Sequence, residues 1–140
     1  MRQLIFNNMN YLAVLVSGVA SFVVASAWYM LFFDTWSTEI GKHGVKIAQP
    51  TKQRMMTNLV VTLLGNLVIA FAVGVVVLMS NSHSLISAIK VALFAGVGFS
   101  IATIGIVYNC EGKPLKLFLI DAAYSFIGIL TSSIILSLWR

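Results

Sequence analysis

Residues 57–79 read TNLVVTLLGNLVIAFAVGVVVLM, a run without a single charge. A helix needs about 20 such residues to cross the ~30 Å hydrocarbon of a bilayer. Within the run Asn58, Thr62, Asn66, Ala70 and Gly74 recur every four residues. They therefore share one face of a helix, leaving a broad Val/Ile/Leu/Phe face for lipid. Between membrane helices the hydrophobic drive is absent, so small residues and buried hydrogen bonds must hold the contacts. This stretch reads as a membrane helix that shows its neighbours a narrow polar stripe.

The rest of the chain repeats the pattern. Residues 11–33 carry no charge, residues 86–108 carry only Lys90, and residues 117–139 carry only Asp121. Narrow stripes recur as well: Ser17, Ser21 and Ala25; Ala92, Gly96 and Ser100; Asp121, Ser125, Gly128 and Ser132. The expected fold is all-α, a single domain over residues 1–140 built as an integral membrane bundle of four transmembrane helices. Asn81-Ser82-His83-Ser84 reads as a tight polar turn, and Pro114 suits the first turn of the fourth helix, where its missing N–H costs nothing. No span contains proline, so no helix broken at the midplane is expected. The longest connection, residues 34–56, opens with a stretch that suits a short amphipathic helix lying in the interface.

Composition agrees and excludes other classes. The chain is 59% hydrophobic and 9% charged, against roughly 25% charged residues in soluble domains. Ala25-Ser26-Ala27 has the form of a signal-peptidase site, but the apolar run continues past it to Phe33, so the first helix reads as an uncleaved span. One cysteine, Cys110, and two distant histidines, His43 and His83, make no metal-ligand set. No metal, cofactor or nucleic-acid partner is expected. The net charge of +5 is read as topology and headgroup contact. With four spans, Arg2, Lys90 and Arg140 fall on one face and Lys42, Lys46, Lys52, Arg54, Lys113 and Lys116 on the other. By the positive-inside rule the first and third loops are cytoplasmic and both termini outside.

Few residues are suited to chemistry. Asp121 is an ionisable group inside a span, a functional candidate by default, although it lies near the edge of the hydrocarbon and near a helix start that favours a carboxylate. Tyr108 and Asn109 share its face; the first-loop end also gathers Trp28, Tyr29, Asn58 and Tyr124 which, with Asp121 and with Thr62 and Asn66 deeper on the second span, make seven. These seven form a candidate polar pocket for a headgroup, a small solute or a proton. The competing reading is a belt of interfacial aromatics with a bundle held by packing. Trp36, Lys90, Trp139 and Arg140 read as interfacial anchors, Lys90 by snorkelling.

Ala27-Trp28-Tyr29, then Leu31-Phe32-Phe33-Asp34-Thr35-Trp36, and later Leu119-Ile120-Asp121-Ala122-Ala123-Tyr124 before Leu138-Trp139-Arg140, resemble the signature of a small bacterial membrane family, domain of unknown function 1761. The resemblance implies four helices and a bacterial inner membrane, directs attention to Trp28, Tyr29, Trp36, Asp121 and Tyr124, and implies no activity. Three functions compete. The first is a non-enzymatic subunit that assembles with itself or with other membrane proteins in the lipid bilayer. The second is an oligomeric transporter or channel for a small solute or ion, with a polar path near Asn58, Asn66 and Asp121. The third is an enzyme acting on a lipid.

Overall fold

A computed structural model describes residues 7–45 and 51–139. Arg2, Lys46 and Arg140, to which the sequence reading assigned topology or anchoring, lie outside the described residues. Four helices are long and apolar enough to cross a membrane: α1 Tyr11–Lys42, α2 Lys52–Met79, α3 Leu85–Cys110 and α4 Leu115–Leu138. The chain is a multi-pass membrane protein with an all-helical bundle.

Local signals set the starts. Asn10 caps α1 by accepting from the Ala13 amide at 3.0 Å. Thr51 caps α2 through the Arg54 amide. Ser84 and Ser87 exchange side-chain and backbone bonds in a capping box before α3. Each satisfies an amide that would otherwise be orphaned in the first turn. Pro114 stands at the N-cap of α4, one position before the first turn in which the sequence reading placed it. Its ring needs no amide partner at either position.

Two expectations are corrected. The separate interfacial helix is absent among the described residues: 34–42 continue α1 without a break. The 32 residues of α1 extend about 48 Å at ~1.5 Å per residue, well past the hydrocarbon. No glycine or proline lies between Phe33 and Gly41, and Gly44 ends the turn at a left-handed φ of +80°. The second correction concerns α3. It lacks proline, yet it is interrupted midway by a π-helical segment, Gly96–Ile101. The segment starts at Gly96, where only glycine fits: a Cβ there would come within 2.6 Å of the Phe126 ring of α4. The Phe126 ring lies against that backbone, and π segments of this kind are frequent at functional sites.

The helices run up and down, and α4 is the hub. It packs against all three others, most extensively against α1, whereas α2 and α3 meet over a short stretch and α1 and α3 do not approach. The α1–α2 crossing is tight at one point, where a Cβ on Gly18 would lie 2.6 Å from Leu67 Cδ2 and 3.1 Å from its Cα. The main buried cluster gathers Met9, Ala13 and Val14 with Ala70, Val73, Val77, Val91, Ala92, Ala95, Ile129 and Leu136. All belong to the half of the bundle beside the chain's start and the turn at residues 80–84. In the other half, Ala102–Cys110 of α3 contains no buried residue.

Candidate functional site

Because α2 and α3 part toward the first-loop end, α4 is uncovered there, and a cavity of about 200 Å³ opens over it. Its lining includes Ala25 of α1, Thr62 and Asn66 of α2, and Tyr124, Ser125 and Gly128 of α4. The stripe on α2 accounts for its side of the cavity. Ala70 and Gly74 are buried in the packed half, Asn66 is 8% exposed, Thr62 is half-buried and Asn58 is exposed. The stripe thus climbs out of the core and passes along the cavity wall. Asn66 stands 14 residues from the start of α2 and 13 from its end (66 − 52 and 79 − 66), close to mid-membrane.

Hydrogen bonding in the cavity is incomplete. Asn66 Nδ2 donates to the Thr62 carbonyl of its own helix at 2.9 Å. Among the described residues nothing bonds Asn66 Oδ1, the Thr62 hydroxyl or the Tyr124 hydroxyl. A Cβ added to Gly128 would lie 3.7 Å from Asn66 Oδ1, so this glycine leaves the amide room across the α2–α4 gap. The Ser125 hydroxyl pairs with Ser100, which lies in the π segment of α3. That bond ties the irregular part of α3 to the cavity wall.

Asp121, Tyr124, Ser125 and Gly128 follow one another at helical spacing on α4, so the acid lies one turn nearer the first-loop surface than the cavity. It does not line the cavity. Its carboxylate accepts the hydroxyl of Tyr108 from α3, and Lys113 lies 4.7 Å over the Tyr108 ring. Around this pair the aromatics interlock. Tyr29 meets Tyr124 edge-on at 6.2 Å and Trp36 at 5.4 Å. Trp28 Nε1 donates to the Ile120 carbonyl at 3.3 Å and its ring packs on Phe32 at 4.4 Å.

The structure therefore divides the seven pocket residues. Thr62, Asn66 and Tyr124 line the cavity, Tyr29 buttresses it through Tyr124, and Trp28 fastens α1 to α4. Asp121 pairs with Tyr108, and Asn58 lies outside the lining. Among the anchors, Trp36 joins the aromatic cluster, while Lys90 and Trp139 are exposed. Sequence reasoning missed the partnership of Ser100 with Ser125, and it placed Tyr108 on the face of Asp121 without pairing the two. It also missed the node in which the Ser21 hydroxyl reaches the Gly128 carbonyl at 2.9 Å and Ser132 Oγ at 2.7 Å. All but Tyr108 lay on the recognised stripes, which say that a face is polar without saying which faces meet. Among the described residues no three His, Cys, Asp or Glu side chains converge on a metal position.

A family model described as "Protein of unknown function (DUF1761)" matches residues 12–137. No curated protein and no solved structure matches the chain.

Proposed function

We propose that this chain, which belongs to the DUF1761 family, is a non-catalytic carrier that binds a small polar solute in the mid-membrane cavity and conveys it. One observation carries the reading: Asn66, Thr62 and Tyr124, which line an open-sided cavity of about 200 Å³ between α1, α2 and α4, hold polar atoms without a partner among the described residues. A polar group without a partner in hydrocarbon costs several kcal/mol, so such a cavity stays polar because something polar fills it. Its volume exceeds the ~150 Å³ of an apolar cavity that takes up benzene. The π segment does not line the cavity but is tied to its wall through the Ser100–Ser125 bond, and π segments are frequent at functional sites. Asp121 stands off the cavity and is bonded to Tyr108, an arrangement that offers no reactive group to a bound molecule.

Native mass spectrometry after gentle detergent extraction tests this, together with solute permeability of proteoliposomes. The unsubstituted chain should retain a small non-lipid molecule or raise permeability to small solutes, and Asn66→Leu should do neither. No retained mass and no flux from either chain would sink the carrier reading.

A second reading, assembly with another copy or another membrane subunit, is favoured by the parting of α2 and α3, which leaves the cavity wall incomplete on one side. The same spectra distinguish a homo-oligomer from a complex with a foreign subunit. The proposed location is a bacterial inner membrane with both termini outside. Six cations in the first and third loops, Lys42, Lys46, Lys52, Arg54, Lys113 and Lys116, outnumber the three on the opposite face, Arg2, Lys90 and Arg140. Cys110 is exposed at the first-loop end, so labelling by an impermeant thiol reagent from outside intact cells would reverse this orientation.

A further inference from the structure

We propose that the cavity selects neutral, hydrogen-bonding molecules of a few heavy atoms and turns ions away. The inference rests on the carrier reading and specifies the chemical class of the solute.

The lining provides both hydrogen-bond polarities and no formal charge. Asn66 Oδ1 is an acceptor, the second Asn66 N–H is a donor, and the hydroxyls of Thr62 and Tyr124 serve as either. The lining residues Thr62 and Asn66 belong to α2 and Tyr124 and Ser125 to α4, on two sides of one space, so a molecule with a donor and an acceptor meets polar residues on both. Asn66 is 92% buried (8% exposed), and its carbonyl oxygen has no described partner. This is the strongest sign that a ligand atom belongs there.

Ions find no counter-charge. The nearest acid on α4 is Asp121, a turn toward the surface and already bonded to Tyr108. The nearest cation on α2 is Arg54, eight residues from Thr62 (62 − 54), about 12 Å along the helix at ~1.5 Å per residue. An unpaired ion at this depth forfeits its hydration without compensation. A bare cation could recover the loss only if six or more oxygens closed to about 2.3–2.6 Å, the shell that calcium takes. Here the few oxygens are spread around about 200 Å³. The same volume sets the upper size of the occupant near that of a small aromatic ring. Gly65, which has open space at its Cβ position, lies on the rim and leaves the entrance wide enough for such a molecule.

Thiol accessibility in proteoliposomes tests the class without knowledge of the natural solute. In a Cys110→Ser background, Thr62→Cys and Asn66→Cys place a thiol on the cavity wall, and Val68→Cys, 68% exposed on α2, places one toward lipid. Either cavity variant suffices if the other fails to elute as a monodisperse protein. The probes are methyl methanethiosulfonate, which is neutral, and its trimethylammonium-ethyl and sulfonatoethyl analogues, which are charged. Only a thiolate reacts, and it forms in a polar site and not in lipid. The neutral probe should therefore modify the cavity thiol roughly tenfold or more faster than the Val68→Cys thiol, with both charged probes leaving it intact. Modification by the charged probes at the neutral probe's rate would overturn the neutral class and leave the carrier reading standing. A cavity thiol that no probe reaches, with Cys110 of the unsubstituted chain reacting normally, would mean a dry cavity and defeat both. A lipid-side thiol reacting as fast as the cavity thiol would remove the polar site from the explanation.

Discussion

The two ends of this bundle are built from similar residues and behave differently. At the end beside the turn at 80–84, small residues let helices close on one another and the hydroxyls find partners. Ser82 bonds Ser87 at 2.8 Å and Ser137 at 2.7 Å, and Ser21 bonds Ser132 and the Gly128 carbonyl. Ser133 Oγ is the buried exception, without a partner among the described residues. At the first-loop end the same kinds of polar side chain face a cavity, α3 turns irregular, and large aromatics replace small residues as the contact. Small polar residues are thus glue where backbones can approach and a wetted surface where they cannot. What separates the two outcomes is the splay of α2 from α3.

The largest effect is expected where backbones come closest. Gly18→Leu would drive its side chain into Leu67, including the Leu67 Cα, which cannot move without shifting α2. Overpacking of this kind costs about 1–3 kcal/mol. Thermal unfolding in detergent should show the loss as a clear drop in midpoint, whereas the same substitution at Gly65, which faces open space, should leave the midpoint nearly unchanged. Equal drops at both glycines would erase the distinction between a closed and an open end.

Next comes the pair that holds the open end of α3. With no buried residue in Ala102–Cys110, this segment depends on a few contacts, Tyr108 with Asp121 and its ring against Phe118 at 6.3 Å, beyond the Ser100–Ser125 bond of the π segment that precedes it. Tyr108→Phe keeps the ring contact and removes the hydroxyl, a loss of about 1–2 kcal/mol for a hydrogen bond to a carboxyl group. The consequence is local. Hydrogen exchange over residues 102–110 should quicken roughly tenfold, in line with that energy, while residues 85–95 keep their protection. Uniform quickening along all of α3 would show that the two ends are a single cooperative unit.

Hydroxyl deletions sharpen the comparison from both sides. Ser132→Ala removes a partner of Ser21 and should cost about 0.6–1 kcal/mol, the usual worth of an interhelical bond in a membrane. Thr62→Val is nearly isosteric and deletes a hydroxyl with no described protein partner, so stability should stay level or rise slightly. Unfolding in a denaturing detergent series, with both variants measured beside the unsubstituted chain, decides the matter. A Thr62→Val loss as large as that of Ser132→Ala would mean that Thr62 is glue and not cavity wall.

The pattern of what could be read from residues alone follows the same division. The four spans were plain because runs of 20 or more residues with at most one charge admit few other structures in lipid. The turn at 81–84 was plain because Asn and Ser signals act locally; Asn81 takes a left-handed φ of 49°. The Asn58–Thr62–Asn66 stripe was visible too, since spacing alone puts these residues on one face. Its meaning was not, because nothing local says whether α3 stands against that face or leaves it open. The π segment escaped notice for a related reason: it begins at Gly96, whose close approach to the Phe126 ring is a contact between helices that no local signal announces. The extension of α1 was missed because Asp34, Glu39 and Lys42 look like a loop by composition, although no residue before Gly41 breaks a helix.

That extension provides the smallest effect, and it tests whether the open end is also held from outside the hydrocarbon. Glu39 Oε1 lies 2.9 Å from Lys42 Nζ on its own helix and 3.4 Å from Lys116 Nζ at the start of α4. The first contact is an i, i+3 pair that props the last turn of α1. The second spans α1 and α4, antiparallel neighbours whose main grip is deeper, at Trp28 and Ser21. Both lysines are largely exposed, at 62% and 61%, so solvent screens the pair and side-chain entropy opposes it. Glu39→Gln should therefore leave the unfolding midpoint within experimental scatter and change only local exchange at residues 36–42, an effect that salt in the unsubstituted chain should mimic. A midpoint shift comparable to that of Ser132→Ala would give the surface link a share in holding α1 to α4, and the open end would then owe its geometry to charges in the loops as well as to aromatic packing.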